Sequence, residues 1–344
     1  MTSATSPLRL RLDGDALARN WRWLAGRSGG AACGAAIKAD GYGTDAVGVA
    51  QRLTEAGCRD YFVATWAEAE ALGFLAEGVS LSVLHGVRAE DMAAAIISPA
   101  RPTLNTLEQV GRWRETGQPC DVMVDTGMNR LGISPRDVLG GAVDGLEIVT
   151  LMSHLASADE DVPQNEAQCL ALSALAGKTS AKRLSLANSA GICLGERYSF
   201  DLTRPGLALY GGIPRPEAVG NIRQVVHVEA QVLQRRQIEA GEAVGYNATF
   251  RADRQMELAI LNLGYADGYL RGFSGRGSAG NGRFPVIGRV SMDLIAVCVD
   301  ADPAVGEGDW VEIDYDLSLA SAQSGLSPYE LLTGLGSRFE RVWG

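Results

Sequence analysis

The sequence predicts an α/β protein built from a (β/α)8 TIM-type barrel and a second, mostly antiparallel β domain. Continuous apolar runs alternate with amphipathic helical stretches up to about Pro216, a pattern typical of a parallel sheet covered on both faces. Beyond Pro216 the helical stretches become rare, and strand-like runs are separated by Gly and Asp. We therefore assign residues 10–220 to the barrel and 221–344 to the β domain, which residues 1–9 are candidates to join.

The first part of the chain contains the predicted barrel elements. Leu8–Leu12 alternates like a half-buried strand, and Asp13 or Asp15 can cap a helix through about Ala25. The predicted barrel strands are the apolar runs Ala35–Lys38, Tyr61–Thr65, Leu81–His85, Pro102–Asn105, Val122–Asp125, Glu147–His154, Leu184–Asn188 and Leu207–Tyr210. The predicted helices between them include Ala46–Ala56, Ala67–Ala76, Ala89–Ile97, Leu107–Glu115 and Asn165–Leu175. Eight such units suit a closed barrel, with a doubly wound open sheet as the alternative.

The second part of the chain is predicted to be mainly strands. The strand-like runs are Val225–Gln237, Ala243–Phe250, Met256–Gly264, Phe284–Val299 and Trp310–Asp314. A short helix is predicted at Ser327–Leu332 and a closing strand at Arg338–Trp343.

Composition excludes several classes of function. A net charge of −10 and a pI near 4.9 argue against nucleic acid or an anionic membrane surface as partner. No apolar run is long enough to span a bilayer, and residues 1–11 lack the apolar core of a signal peptide. Six cysteines without metal-like spacing are typical of reduced core residues in a cytoplasmic protein, and three histidines leave little room for a metal site.

Polar side chains fall at or just past the ends of the predicted strands. They are Lys38, His85, Arg130, His154, Asn188, Ser189 and Arg204. In a β/α barrel this edge carries the active site. Lys38 is the most informative, because a buried amine is costly unless it is paired, shifted in pKa or used covalently. Lysines that form Schiff bases with carbonyl cofactors occupy such positions, and a lysine that only reaches solvent at a strand end is the alternative.

Eight stretches, taken together and in order, resemble the alanine racemase family of pyridoxal-phosphate enzymes. They are Ile37–Gly43, Val124–Gly132, His154–Asp159, Ala187–Ala190, Arg204–Gly211, Val244–Thr249, Gly264–Gly268 and Gly288–Asp293. The resemblance covers essentially the whole chain. It implies a barrel followed by a β domain, pyridoxal 5'-phosphate as cofactor, and interconversion of L- and D-alanine that supplies D-alanine as a peptidoglycan precursor.

The resemblance also implies two catalytic residues. Lys38 would carry the cofactor and act as acid and base on one face of the substrate α-carbon, and Tyr246 would act on the opposite face. Because a tyrosine hydroxyl ordinarily has a pKa of about 10, it is a poor base at neutral pH. The family provides a favourable environment through a histidine and an arginine, here His154 and Arg204. Without the resemblance, Tyr246 reads as a core aromatic of a strand.

The remaining site residues are implied in the same way. The cofactor would be bound by Lys38, Tyr42, His154, Asn188, Ser189, Arg204, Gly206 and Leu207, with Arg204 facing the pyridine nitrogen. The substrate would be bound by Arg130, Met292, Asp293 and Tyr265, with Arg130 holding its carboxylate. In the family Tyr246, Tyr265, Met292 and Asp293 reach the barrel of a second subunit, which implies a homodimer with shared active sites.

Three positions depart from the family pattern. Met123 stands where many members have a lysine that is carbamylated and anchors the carboxylate-binding arginine, so Arg130 needs another counter-charge. Ser185 replaces a histidine three residues before the Asn-Ser pair. Ser337 replaces a tyrosine that touches the phosphate and narrows the substrate pocket, and a smaller residue there would admit serine or larger substrates.

Four interpretations remain open from the sequence. They are an alanine racemase, a racemase of broader specificity for small amino acids, a barrel-type pyridoxal-phosphate decarboxylase, and a protein that lacks this catalysis. The last would be either a non-catalytic cofactor carrier or a barrel in which Lys38 is structural. The decarboxylase is disfavoured because the chain lacks a clear cysteine-centred C-terminal motif, and the carrier because residues 221 onward form a β domain.

Overall fold

The computed structural model describes residues 5–73 and 76–344, and the chain divides into two compact units. The barrel unit comprises Leu17–Gly41 and Ala46–Arg223. The β unit comprises the described chain up to Ala16, Tyr42–Asp45 and Gln224–Gly344. Tyr42–Asp45 thus belong to the β unit although they lie inside the predicted barrel range. Residues 1–4, which begin the predicted joining segment, lie outside the described residues.

The barrel unit contains parallel strands that follow one another in sequence order. Seven of them form one sheet: Ala35–Ala36, Asp60–Val63, Ser80–Val83, Arg101–Leu104, Cys120–Met123, Ile148–Met152 and Arg183–Ser185. These short strands are almost entirely buried, as expected of a sheet covered on both faces.

An eighth strand, Leu202–Thr203, closes the barrel. On one side the amides of Asp201 and Arg204 donate to the carbonyls of Leu184 and Ala187 at 3.1 and 2.8 Å. On the other side this strand pairs with Ala32–Cys33. These bonds join both edges of the seven-stranded sheet, so the predicted barrel is confirmed.

The predicted location of the eighth strand is wrong. Leu207–Tyr210 is a 3-10 helix, flanked by Gly206 and Gly211. All four of its residues are buried, which accounts for the apolar run. A short apolar run does not distinguish a buried strand from a buried helical turn.

Helices follow most of the barrel strands. The α-helices of this part of the chain are Gly14–Arg27, Lys38–Gly43, Ala46–Ala56, Trp66–Ala71, Met92–Ile97, Leu107–Arg114, Pro135–Leu139, Pro163–Ser173 and Ser189–Leu194, and further 3-10 turns are Glu196–Tyr198 and Pro216–Ala218. Four of these helices are capped by a side chain that accepts a hydrogen bond from a first-turn backbone amide; the capping residues are Thr65, Thr106, Ser134 and Asn188. The predicted helix Ala67–Ala76 is observed as Trp66–Ala71, and its residues 74–75 lie outside the described residues.

The β unit is built on a mostly antiparallel sheet of eight strands. These are Leu8–Leu12, Val226–Ile238, Met256–Leu261, Ser278–Ala279, Phe284–Ile287, Ile295–Cys298, Trp310–Ile313 and Glu340–Trp343. Leu8–Leu12 pairs antiparallel with Val226–Ala230 and parallel with Glu340–Trp343, and its three leucines are fully buried. The alternating pattern of this strand therefore reflects one core-facing side.

Four details of the β unit differ from the prediction. Phe284–Val299 is not one strand but two antiparallel strands, Phe284–Ile287 and Ile295–Cys298. Ala243–Phe250 is a hairpin rather than one strand, with Ala243–Val244 and Phe250–Arg251 paired around a 3-10 turn at Tyr246–Ala248. Helix Leu317–Ser324 was not predicted, whereas the predicted Ser327–Leu332 helix is observed as Pro328–Thr333. Further 3-10 turns lie at Tyr265–Asp267 and Arg271–Phe273. Among the helices in residues 5–73 and 76–344, none has the length and hydropathy needed to cross a membrane.

Candidate active site

The segment that begins at Lys38 has an unusual backbone. The predicted strand Ala35–Lys38 is observed as Ala35–Ala36, and Lys38–Gly43 forms a short helical turn. The φ angles are 53° for Ala39, 53° for Asp40 and 57° for Tyr42, and the φ angles of the two glycines in the turn are also positive. The turn is thus left-handed, a conformation that costs an L-residue about 1–2 kcal/mol. Such strain persists only where the surrounding structure imposes it, and it is common at functional sites.

Glu68 is one residue that imposes this conformation. Its Oε1 atom accepts the backbone amide of Ala39 at 2.9 Å, and its Oε2 atom accepts the amide of Ala64 at 2.6 Å. Glu68 is also the third residue of a capping box with Thr65. The Thr-x-x-Glu spacing is visible in the sequence, but the bond to the residue after Lys38 is not. Sequence reasoning therefore missed Glu68.

Lys38 lies among positive charges. Burial lowers the pKa of its amine, and the charges of Arg130 and Arg204 lower that pKa further, whereas Glu68 acts in the opposite direction. Burial lowers the pKa of His154 to about 3, with contributions from Arg204, Arg130 and Lys38. His154 is therefore neutral at physiological pH. The barrel unit brings these four predicted site residues together as one group with excess positive charge.

Arg204 is buried without a carboxylate bonded to it among the described residues. Its Nη2 atom donates to the backbone carbonyl of Ser153 at 2.5 Å, and its Nη1 atom donates to Ser185 Oγ. Burial lowers the pKa of Arg204 to about 10, so the guanidinium stays charged at neutral pH. The replacement of histidine by Ser185 thus leaves a hydroxyl acceptor for Arg204, and that hydroxyl in turn donates to the carbonyl of Leu202.

Arg130 ends a tight turn that is organised by Asp125. The Asp125 carboxylate accepts four backbone amides, from Gly127, Met128, Asn129 and Arg130, at 2.9–3.0 Å. These bonds lower the pKa of Asp125 against the effect of its partial burial. The guanidinium of Arg130 is exposed and forms no ion pair with any described residue. Met123 is buried and offers it no charge.

A group of buried polar atoms lies at the start of helix Ser189–Leu194. Asn188 caps the helix by accepting the amide of Gly191 at 2.9 Å. Ser189 Oγ accepts the amides of Gly206 and Ala208 at 3.0 and 3.2 Å, which fixes the loop before Leu207. The amide of Leu207 donates to no residue that the structure describes. Hydroxyls and amides of this kind are the groups that bind phosphate in barrel proteins.

Tyr42 and Tyr246 both lie in the β unit, in contrasting environments. Tyr42 is buried, its ring centroid lies 6.4 Å from that of Tyr329, and burial raises the pKa of its hydroxyl. Tyr246 is 65% exposed, on a turn where Asn247 and Ala248 both have positive φ. The interpretation of Tyr246 as a core aromatic is therefore wrong. A large aromatic held out on a strained turn is typical of a residue that acts on something outside its own unit.

The predicted substrate-binding residues of the β unit lie side by side. The amide of Tyr265 donates to Ser291 O, and the amide of Ala266 donates to Met292 O, both at 3.0 Å. Met292 is 53% exposed, and its own amide donates to no described residue. Asp293 accepts a hydrogen bond from Arg338 Nη1 at 2.6 Å. Sequence reasoning assigned Arg338 no role in the site.

Comparison with known proteins gives consistent matches over the whole length. The family model described as "Alanine racemase, N-terminal domain" matches residues 12–214, and "Alanine racemase, C-terminal domain" matches residues 225–343. The alanine racemase of Acidiphilium cryptum (strain JF-5) is 40% identical over 97% of this chain and 98% of its own length. That of Methylobacterium nodulans is 42% identical over 99% of this chain and 97% of its own.

A solved structure is similar at the level of the fold. The alanine racemase of Bartonella henselae, crystallised with covalently bound pyridoxal phosphate, superposes with a TM-score of 0.91 at 35% identity. The superposition covers 99% of this chain and 100% of that one.

Proposed function

The chain belongs to the alanine racemase family, and we propose that it interconverts L- and D-alanine with pyridoxal 5'-phosphate as its cofactor. The observation that carries this proposal is the positive cluster around Lys38. Arg130 and Arg204 both lower the pKa of Lys38 there, and no described carboxylate forms an ion pair with any of these three side chains. Such an uncompensated cluster fits anionic ligands, here a phosphate-bearing cofactor and a substrate carboxylate.

The residues present fit the cofactor. Lys38 supplies an amine whose lowered pKa favours its nucleophilic form. Ser189 and the free amide of Leu207 supply donors for the phosphate, and Tyr42 is a further candidate. When bound, the pyridoxal group withdraws electrons from the substrate α-carbon and makes its proton acidic.

Arg204 would face the pyridine nitrogen. Because its pKa of about 10 keeps the guanidinium protonated, Arg204 has no free electron pair and donates hydrogen bonds only. Arg204 therefore leaves that nitrogen without a proton, which moderates the electron withdrawal. This restraint favours simple return of a proton to carbon over competing reactions.

Proton transfer at the α-carbon needs one group on each face. We assign one face to the amine of Lys38 and the other to the hydroxyl of Tyr246. Arg130 would hold the carboxylate of the substrate, so that the α-carbon is fixed between the two groups. Arg130 is exposed and no described carboxylate pairs with it, so its guanidinium is available for the substrate carboxylate, which would supply the counter-charge that Met123 cannot.

The test of these roles uses the wild-type protein and one variant. The purified protein should be yellow, and borohydride reduction should leave the pyridoxyl group attached at Lys38 in a peptide map. Tyr246→Phe should retain the yellow colour and lose racemisation of L-alanine by about 10²-fold or more. A protein that stays colourless after addition of the cofactor would refute the proposal. Full turnover in Tyr246→Phe would refute the two-base assignment.

We also propose that the active form is a homodimer whose sites combine Lys38 of one subunit with Tyr246 of the other. The exposure of Tyr246 and Met292 supports this, because the fold of the β unit does not bury them. Mixing Lys38→Ala and Tyr246→Phe chains after reversible dissociation should restore about a quarter of the wild-type activity, since half the dimers are hybrids with one intact site. Sites contained within single chains would give no recovery.

The cellular role follows from this activity. We propose that the enzyme acts in the cytoplasm and supplies D-alanine as a peptidoglycan precursor. All six cysteines are buried and unpaired, as is common in reducing compartments. Expression in a bacterial strain that requires D-alanine should restore growth without the supplement, and the Tyr246→Phe chain should fail to do so.

A further inference from the structure

A cluster of three charged residues in the β unit, which we call the tail clamp, consists of Arg338, Asp267 and Asp293. Arg338 donates through Nε and Nη2 to the two carboxylate oxygens of Asp267 at 2.6 and 2.7 Å. It donates through Nη1 to Asp293 at 2.6 Å. The Asp267 side chain has no exposure, whereas the other two are roughly half exposed. Arg338 thus neutralises one fully buried carboxylate and binds a second at the surface.

The tail clamp connects three segments of the β unit that lie outside its strands. Asp267 Oδ2 also accepts the amide of Gly264 at 2.9 Å, which closes the turn that carries Tyr265. That turn is bonded to Ser291 and Met292. Gly264 must be glycine there, because a side chain would collide with the carbonyl of Met292. The third segment is the tail itself, where Arg338 directly follows Ser337.

A role in stability alone does not account for this arrangement. A bidentate pair with Asp267 would already satisfy the buried charge, and the further bond to Asp293 lies at the surface. The bond to Asp293 fixes the neighbouring residue Met292. The Met292 carbonyl accepts the amide of Ala266, whereas the Met292 amide has no described partner. An amide held in place but unbonded is a prepared donor for a ligand oxygen.

We propose that Arg338, acting through Asp267 and Asp293, is a positioning residue that holds the Met292 amide and the Ser337 side chain where the substrate binds. The inference rests on the proposed function and on the assignment of Arg130 and Met292 to substrate binding that the resemblance implies. It assigns the tail clamp to substrate binding, separately from the groups around Lys38 and Ser189 that would bind the cofactor. Loss of the clamp therefore raises the KM for alanine while cofactor affinity stays constant.

The experiment compares four variants as holoenzymes. Arg338→Met leaves Asp267 buried and unpaired, so a double variant, Arg338→Met with Asp267→Asn, removes both charges and keeps an acceptor for Gly264. Arg254→Met is the matched control, because it breaks an ion pair of the same unit, Arg254–Asp300, away from these segments. Alanine KM and kcat, the cofactor dissociation constant and the thermal midpoint are measured for each.

The double variant should raise the alanine KM by about tenfold, with kcat changed less and cofactor affinity within twofold of wild type. Arg338→Lys, which can reach one carboxylate only, should lie between. Wild-type KM in a folded double variant would overturn the proposal, as would a parallel loss of cofactor affinity. A wild-type protein that binds the cofactor but does not racemise alanine would overturn the proposed function, and this is seen before any variant is compared.

Discussion

Replacement of Glu68 by glutamine tests how the turn after Lys38 is held. The carboxylate accepts Ala39 N through one oxygen and Ala64 N through the other, at 2.9 and 2.6 Å. Glutamine offers one acceptor oxygen and one NH2 group, so one of the two amides loses its acceptor and faces a donor. Because a hydrogen bond to a charged acceptor contributes about 1.5–3 kcal/mol and this site is partly exposed, we expect a loss of about 1–2 kcal/mol.

The same substitution acts on the amine of Lys38. Glu68 raises the pKa of Lys38 against burial and the two arginines, so removal of its charge lowers that pKa further. The amine should then lose its proton at lower pH. Because the unprotonated amine reacts with pyridoxal 5'-phosphate, the rate of colour formation in the apoenzyme should rise with pH earlier in Glu68→Gln than in wild type.

Glu330→Gln provides the control for both measurements. Glu330 makes the same capping-box contacts with Ser327, but among the described residues it accepts no amide beyond its own helix start. Urea unfolding of the apoenzyme and the pH dependence of colour formation are measured for both variants. If Glu68→Gln matches Glu330→Gln in both, Glu68 only caps its helix and the reasoning about Lys38 is refuted.

Three further perturbations probe the turn, the site and the specificity. Gly43→Ala should lower the free energy of unfolding, measured in urea, by about 2–4 kcal/mol. The reason is that φ of Gly43 is +83° and the added Cβ would lie 2.6 Å from the carbonyl oxygen of Leu332. A loss smaller than that of an exposed Gly→Ala change would contradict this. Lowering the pH from about 6.5 towards 3 should destabilise the wild-type protein by a few kcal/mol more than the His154→Gln variant. The unfolded state binds a proton at His154 in this range, whereas the folded state, in which the pKa is about 3, does not. Parallel curves of stability against pH would contradict this role of His154. Ser337→Tyr should raise the ratio of alanine to serine racemisation by about tenfold if Ser337 widens the pocket, and an unchanged ratio would exclude that role.

The sequence predicts the fold well where a strand is long enough to show a pattern. The barrel strands from Asp60 to Ser185 coincide with apolar runs, because both faces of each strand are covered. The eighth strand has two residues, Leu202–Thr203, and is identified only by its hydrogen bonds to both neighbours. Two residues carry no periodicity, so the sequence favours the longer run at Leu207–Tyr210 in its place.

The left-handed turn could not be predicted for a different reason. Ala39, Asp40 and Tyr42 have no intrinsic preference for positive φ, although Asp tolerates it. Their conformation is imposed by contacts distant in sequence, of which the Glu68 bond to Ala39 is one. Local propensity is overridden where the chain serves a site, and such positions are where prediction from sequence is expected to fail.

The structure changes the balance between alternatives that the residues alone left open. The residues alone favour Tyr246 as a core aromatic of a strand, but 65% of its surface is exposed on a turn with two strained residues. Lys38 could equally reach into solvent, but its pKa is lowered first by burial and then by two arginines. Neither environment stabilises the fold of its own unit, because the turn at Tyr246 contains backbone strain and the burial of Lys38 removes its amine from water. Under the function proposed above, an anionic ligand bound at Lys38 and a substrate bound at Tyr246 would each offset one of these costs.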